Sequence, residues 1–261
     1  MARSALINVM VRAAMKASRK LARDFGEVEN LQVSQKGPAD FVSAADRKSE
    51  EIIHQELELA RPGYSFLMEE SGASQGSDAQ HRWIVDPLDG TTNFLHGIPL
   101  FCISIALERQ GRLQAGVIYN PISDELFSAE RGAGAFLNDR RIRVSARTRI
   151  ADAVIATGIP HRGRGDHGEF LKQLASVMAI TAGVRRCGAA ALDLAWLAAG
   201  RFDGFWESGL SAWDVAAGAL ILREAGGFIS DSAGGDQILD AGTIVAGNAA
   251  IHRHLLDLIE R

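Results

Sequence analysis

The sequence has 261 residues, of which 47% are hydrophobic and 23% are charged, and its formal net charge is −4. This length can bury a large core, and the composition is ordinary for an α/β enzyme. The negative charge argues against a dedicated nucleic-acid binder, although it leaves local basic patches open.

Neither the hydrophobic runs nor the cysteines suggest a membrane or a secreted protein. No apolar run approaches the ~20 residues that a membrane span needs. Cys102 and Cys187 lie in apolar stretches, and there is no Cys-x-x-Cys motif. We therefore expect two reduced core cysteines in a cytoplasmic protein.

The first helix is predicted to run to about Asp24, and it is unusually basic. Its first 23 residues contain six basic residues and no acid, a bias that also occurs in transit peptides and RNA-contacting helices. Apolar residues at helical spacing favour an ordinary amphipathic helix instead. These residues are Leu6, Met10, Ala13, Ala14 and Ala17.

The rest of the first half is predicted to be of the α+β type. A second helix spans roughly Asp46 to Ala60 and ends at a Pro-Gly pair. Alternating apolar residues and polar turns predict strands, the last three of them in an antiparallel meander. The predicted strands are Ser65–Met68, Arg82–Val85, Ile103–Leu107, Leu113–Tyr119 and Leu126–Ala129.

The second half is predicted to alternate strands and helices. The strands are Val154–Thr157, Val184–Cys187, Phe202–Trp206, Phe228–Ser230 and Thr243–Ala246, and the helices are Glu169–Ile180, Ala189–Ala199, Trp213–Ala225 and one starting near Asn248. The helix Ala189–Ala199 is apolar almost all round, so we expect it between two sheets. The prediction is an α+β half (residues 1–150) and an α/β half (151–261), stacked in layers as one compact unit.

Carboxylates stand at the ends of three predicted elements. Glu69 follows one strand, Asp86 and Asp89 follow another, and Asp214 opens a helix. Taken alone, Glu69 fits a solvated loop, Asp89 a turn, and Asp214 a helix first turn. Taken together they indicate an all-oxygen site for Mg²⁺ or Mn²⁺ rather than zinc. The turn that begins at Gly90 would point backbone N–H groups at a phosphate.

Other phosphate chemistries fit this sequence poorly. It has no P-loop motif. A cysteine-nucleophile phosphatase needs an arginine six residues after its cysteine, where this chain has Glu108 and Asp193. A haloacid-dehalogenase phosphatase needs Asp-x-Asp, whereas the spacing here is Asp86-x-x-Asp89.

Several segments closely resemble the inositol monophosphatase family. In family order, they are residues 36–40, 69–72, 83–94, 188–195, 204–207 and 213–218. The resemblance implies a layered αβαβα sandwich of the sugar-phosphatase superfamily. It also implies Mg²⁺-dependent hydrolysis of a phosphomonoester, a homodimer and inhibition by lithium.

The resemblance assigns two metal ions, and a third, weaker one near Glu69. One ion would be held by Glu69, Asp86 and the carbonyl of Leu88. The second would be held by Asp86, Asp89 and Asp214, so Asp86 would bridge the two.

The resemblance also assigns catalytic and substrate-binding residues. Glu69 and Thr91, the latter paired with Asp46, would position the attacking water, and Lys36 would lie near the phosphate. The residues expected to contact the substrate are Leu88, Asp89, Gly90, Thr91, Arg185, Gly188, Ala189, Ala190, Glu207 and Asp214.

The implied reaction is in-line attack of water on myo-inositol monophosphate, without a covalent enzyme intermediate. Fructose-1,6-bisphosphate, histidinol phosphate and 3′-phosphoadenosine 5′-phosphate remain alternative substrates, although Glu207 favours a polyol because a carboxylate accepts hydrogen bonds from ring hydroxyls. A different class of function is a regulatory protein that binds RNA or the transcription machinery through the basic first helix.

Overall fold

The structure is a computed structural model, and it describes residues 3–31, 38–160 and 165–259. Lys36 lies outside these ranges. Within them the chain forms seven α-helices and thirteen β-strands. The helices are α1 (Ala5–Leu31), α2 (Pro38–Ala60), α3 (Thr91–Leu95), α4 (His167–Met178), α5 (Ala190–Ala198), α6 (Ala212–Glu224) and α7 (Ala249–Ile259).

The strands divide between two sheets. The strands of the first sheet are β1 (Tyr64–Met68), β2 (Gly72–Ser74), β3 (Asp78–Asp89), β4 (Cys102–Arg109), β5 (Arg112–Asn120), β6 (Glu125–Glu130), β7 (Gly134–Leu137) and β8 (Arg140–Arg141). The strands of the second are β9 (Val154–Thr157), β10 (Gly183–Arg185), β11 (Gly204–Ser208), β12 (Phe228–Ser230) and β13 (Thr243–Gly247).

The first sheet has the order β2-β1-β3-β4-β5-β6-β7-β8, and its central strands are buried on both faces. Only the β1–β3 pair, among the described pairs of this sheet, is parallel. Its register sets Met68 beside Val85. The next residues, Glu69 just after β1 and Asp86 within β3, therefore lie side by side.

The second sheet has the order β10-β9-β11-β13-β12. Strand β9 is parallel to both its neighbours, while β13 is antiparallel to β11 and β12. Glu207 lies near the end of β11, opposite Ile244 of β13.

The two sheets and their helices form five layers, which confirms the predicted αβαβα sandwich. Helices α1 and α2 pack on one face of the first sheet, α5 and α6 lie between the sheets, and α4 and α7 cover the second. Helix α5 is buried along nearly its whole length, as its all-round apolar sequence predicts. Because α5 and α6 also pack on the first sheet, the division at residue 150 stays a prediction.

The basic first helix is amphipathic, as its apolar spacing predicts. Met10, Ala13, Ala14 and Ala17 are fully buried. Two of its basic residues, Arg12 and Lys16, pair with Glu56 of α2, and Lys20 pairs with Asp24. No helix in the described part of the chain is long and apolar enough to span a membrane.

Several boundaries differ from the sequence prediction. Helix α1 extends to Leu31 rather than to about Asp24, and α2 begins at Pro38 rather than near Asp46. Proline is favoured in the first turn of a helix, where its missing N–H has no partner anyway. The strand β2 and the β7–β8 hairpin were not predicted, because strands of two to four residues carry too little periodicity.

The close packing of α6 on β5 can be tested at Gly116. A Cβ at this glycine would lie 2.9 Å from the carbonyl oxygen and 3.1 Å from the Cα of Ala217. We expect Gly116→Ala to lower the free energy of unfolding by about 1–3 kcal/mol in urea titrations, because backbone atoms cannot move aside easily. Gly26→Ala is the control: its Cβ would meet nothing within 4 Å, so helical propensity should keep or raise stability. Equal stabilities of Gly116→Ala and the wild type would contradict this packing.

Candidate active site

Two aspartates lie where β3 ends. The pairing register between β3 and β4 shifts between Asp86 and Asp89, so the two are not held to regular strand alternation. Asp86 is 1% exposed, and its Oδ1 accepts a hydrogen bond from the N–H of Leu88 at 2.9 Å. Asp89 Oδ2 accepts one from the N–H of Ala191 at 2.8 Å. Asp89 is therefore fixed by the first turn of α5, in the middle layer.

The third aspartate comes from α6. Asp214 lies in the first turn of this helix, where its Oδ2 accepts a hydrogen bond from the N–H of Ser211 at 2.7 Å. Oxygen atoms of Asp86, Asp89 and Asp214 all lie within 4.8 Å of one another. Three carboxylates that are distant in sequence thus meet at one point.

Glu69 completes the acidic cluster. Its carboxyl group interacts with that of Asp86, whose pKa its charge raises. It lies at the exposed rim, where β1 and β3 run side by side. The carboxylates of the cluster therefore repel one another at short range.

Burial and mutual repulsion raise the pKa values of these acids. For Asp89, burial and then the charge of Asp214 raise the pKa from 3.8 to about 8. For Asp86, burial and then Glu69 and Asp89 raise the pKa well above its usual range. Burial raises the pKa of Glu69 too, and Asp214 adds to the rise. Four ionised carboxylates at this point are therefore unfavourable without a cation. A bound cation would cancel the repulsion between them.

The donor set suits a hard divalent cation. Carboxylate oxygens dominate it, and the carbonyl of Leu88, which accepts the Thr91 hydroxyl at 3.1 Å, lies beside them. No histidine or cysteine is among the described residues that line the cleft. Oxygen-only ligation fits Mg²⁺ or Mn²⁺, so the cluster could hold such an ion.

The cluster opens into a cleft of about 170 Å³ between the two sheets. Most of the predicted site residues line it. These residues are Glu69, Asp86, Leu88, Asp89, Gly90, Thr91, Gly188, Ala190, Glu207 and Asp214. Ala189 is buried at the start of α5, just behind this lining.

The turn between β3 and α3 depends on a glycine. Gly90 has φ +94°, and a Cβ there would lie 2.8 Å from the carbonyl oxygen of Leu100. Only glycine fits both conditions. The turn starts α3 with Thr91 and Thr92 at the cleft, and the first N–H groups of a helix have no partner inside it. This is the predicted phosphate-facing backbone.

Two predicted site residues lie elsewhere. Asp46 is buried outside the cleft lining, and its Oδ1 has no hydrogen-bond partner among the described residues. Burial and then Glu69 and Glu70 raise its pKa to about 8. The Thr91 hydroxyl hydrogen goes to Leu88 rather than to Asp46, so the catalytic pairing of the two stays a prediction. Arg185 is exposed at the end of β10 and does not line the cleft.

The structure adds cleft residues that the sequence did not indicate. They include Thr92, Gly158, Ile159, Pro160, Arg186, Ser208 and Leu210. Gly158 leaves room for its neighbour, because a Cβ there would overlap the carboxyl end of Glu207. Glu207 was a predicted site residue, and β9 and β11 are adjacent strands. The residue that follows β9, Gly158, could therefore have been expected beside Glu207.

Fold and site together define the class of protein: a phosphatase of the layered αβαβα type. The description "Inositol monophosphatase family" belongs to the family model that matches residues 2–261. The chain is 68% identical, over 261 residues, to a protein of Mesorhizobium japonicum named inositol-1-monophosphatase, covering 100% of this chain and 98% of the relative. This chain belongs to the inositol monophosphatase family.

Two further relatives carry a different name. A crystal structure of the extragenic suppressor protein suhB from Bartonella henselae is 63% identical, covers 99% of both chains and has a TM-score of 0.92. A Pseudomonas aeruginosa protein named Nus factor SuhB is 44% identical and covers 98% of this chain and 96% of that protein.

The raised pKa of Asp89 predicts how stability depends on pH. Between pH 3.8 and about 8 the folded protein holds a proton that the unfolded chain has released. Without divalent cations, the free energy of unfolding should therefore fall as pH rises, by up to about 1.4 kcal/mol per pH unit for one such group. Urea titrations in EDTA at pH 5, 6, 7 and 8 measure this slope.

Saturating Mg²⁺ should flatten the slope, because the cation takes the place of the proton. Asp89→Asn should reduce the slope in EDTA, because the asparagine cannot titrate. A profile in EDTA that is flat or rises with pH would contradict the electrostatic description of the cluster.

Proposed function

We propose that this protein is a Mg²⁺-dependent phosphomonoesterase that hydrolyses myo-inositol monophosphate to inositol and phosphate by direct in-line attack of water. One observation carries the proposal: the oxygens of Asp86, Asp89 and Asp214 lie within 4.8 Å of one another. The turn at Gly90 lies in the same cleft. A cation-binding cluster next to a turn of N–H groups suits a phosphate dianion.

In this proposal Glu69, Asp86 and the Leu88 carbonyl hold one Mg²⁺, and Asp86, Asp89 and Asp214 hold a second. Bound cations activate water and stabilise the charge on the departing oxygen. The third ion near Glu69, the homodimer, the inhibition by lithium and the cytoplasmic location stay predictions.

The chain's own groups orient the water and accept its proton. The Thr91 hydroxyl donates its hydrogen to Leu88, so its lone pairs are left to accept a hydrogen bond from water. Glu69 at the rim of the cleft is placed to accept the proton of this water. N–H groups of the Gly90–Thr91 turn stabilise charge on the phosphate oxygens.

Glu207 is the residue on which the proposed preference for a polyol substrate rests. Its side chain lines the cleft and lies against Gly158 of the neighbouring strand. A carboxylate at this point accepts hydrogen bonds from ring hydroxyls of inositol or of a sugar. Fructose-1,6-bisphosphate and histidinol phosphate also carry hydroxyl or amine donors, so they belong in the substrate screen, together with 3′-phosphoadenosine 5′-phosphate.

A phosphate-release screen over these substrates, with and without Mg²⁺, tests the proposal. We expect Mg²⁺-dependent release that is fastest with inositol monophosphate. Asp89→Asn should lower kcat at least 100-fold while its circular dichroism stays that of the wild type, because loss of a ligand exceeds the 10- to 100-fold effect of outer-shell changes.

The control is Asp78→Asn, which makes the same change at the other end of β3, outside the cleft. It should keep near-wild-type kcat. Full activity of Asp89→Asn would overturn the assignment of the second ion. A phosphorylated Asp86 or Asp89 trapped during turnover would overturn direct attack by water.

A role in transcription is a second candidate function, and the name of the Pseudomonas aeruginosa relative favours it. The basic helix α1 would be its binding surface. The ion pairs of Arg12 and Lys16 with Glu56 reduce the positive potential there. We therefore rank this function below hydrolysis.

RNA binding through α1 can be measured directly. If α1 binds RNA, the combined Arg12→Gln, Lys16→Gln and Arg19→Gln variant should weaken binding of single-stranded RNA. It should also reduce the slope of log K against log salt by about 2, because three phosphate contacts are lost. Filter binding between 50 and 200 mM salt measures this slope. RNA binding that is insensitive to both salt and these substitutions would remove α1 from consideration.

A further inference from the structure

Among the described residues that line the cleft, one basic side chain lies in an acidic surrounding. Five acids line it: Glu69, Asp86, Asp89, Glu207 and Asp214. Arg186 is the only lysine or arginine among the described residues that line it. Two Mg²⁺ ions would balance only the four acids of the cluster. Arg186 would attract a dianionic phosphate that enters this acidic cleft.

The side chains of Arg186 and of its neighbour Arg185 point to different sides of the chain. Arg185 is the last residue of β10, and its Nη1 donates to the carbonyl of Val184 at 2.9 Å. Successive side chains of an extended segment point to opposite sides. Arg186 accordingly faces the cleft, whereas Arg185 does not.

A glycine brings the guanidinium of Arg186 beside α3. Gly188 has φ +87°, and a Cβ there would lie 2.7 Å from Nη1 of Arg186 and 3.2 Å from Nδ2 of Asn93. The guanidinium is thus packed against bare backbone. The amide of Asn93 ties this loop to α3, since it donates to the carbonyls of Cys187 at 2.8 Å and Leu100 at 2.6 Å.

A buried acid also acts on Arg186. Asp193 in the first turn of α5 is 1% exposed, and its Oδ1 has no hydrogen-bond partner among the described residues. Burial raises the pKa of Asp193 to about 7, and the charge of Arg186 opposes this rise. The charges of Asp193 and Arg186 therefore attract each other across the loop that leads into α5.

We propose that Arg186 binds the phosphate group of the substrate, through its guanidinium and the nonbridging phosphate oxygens. The planar guanidinium fork matches two phosphate oxygens at once. The contact lies beside the start of α3, so it adds to the N–H groups of the Gly90–Thr92 turn. This inference rests on the proposed function only in that the bound group is a phosphate ester.

Inorganic phosphate is the probe, and calorimetric titration in saturating Mg²⁺ measures its affinity without requiring turnover. Arg186→Gln should weaken phosphate binding about 10- to 100-fold, the range of a hydrogen-bonded charged contact. Arg186→Lys keeps the charge without the fork and should weaken it less. Arg253→Gln removes the same charge from the exposed surface of α7 and serves as the control.

Three outcomes would overturn the proposal. Phosphate affinity could be unchanged in Arg186→Gln. Arg185→Gln could weaken binding instead, which would favour the other arginine. Arg186→Gln could alter the sedimentation coefficient while phosphate affinity stays constant, which would assign Arg186 to a contact between copies of the chain.

The same measurements separate this proposal from the function on which it rests. A wild-type protein that binds phosphate through Arg186 but releases none from any phosphomonoester would overturn only the proposed hydrolysis. Mg²⁺-dependent hydrolysis with unchanged kcat/KM in Arg186→Gln would overturn only the role of Arg186.

Discussion

The three aspartates of the cluster each accept a hydrogen bond from a backbone N–H group, and the donors lie in β3, in the first turn of α5 and just before α6. These donors fix one oxygen of each carboxylate, while the crowded charges repel one another. The arrangement persists because two layers of the sandwich, the first sheet and the layer of α5 and α6, hold it from different sides. Burial in the same layers raises the pKa values and so makes the site receptive to a cation.

The second sheet contributes the part of the cleft that is proposed to face the substrate. Glu207 reaches the cleft from β11, and Gly158 at the end of β9 leaves room for its carboxyl group. The cluster is thus built from the first sheet and α6, whereas Glu207 comes from the second sheet, and α5 and α6 set the distance between the two sheets. Changes in the second sheet can therefore alter substrate preference while the three aspartates stay in place.

The sequence predicted the layers and most of the acidic cluster for physical reasons. Helix α5 is apolar all round, which left only the space between two sheets for it. Asp86 and Asp89 follow an apolar run that is typical of a buried strand. Two acids at such a position indicate a functional site rather than a structural role. The prediction named Arg185, whereas Arg186 lines the cleft, because the direction of the side chains at the end of β10 shows only in the folded backbone. The predicted pairing of Asp46 with Thr91 has the same weakness. The spacing of residues along the sequence does not show which hydroxyl group lies next to a buried carboxyl group.

The order of elements along the chain has a consequence for synthesis. Asp86 and Asp89 leave the ribosome long before Asp214, and the face of the first sheet that α5 and α6 cover stays uncovered until those helices emerge. A nascent chain therefore carries an apolar sheet face and unmatched acids through more than a hundred residues of elongation. Transiently exposed surface of this kind promotes aggregation. Chaperone binding to ribosome-bound intermediates should accordingly end only when α6 has been released.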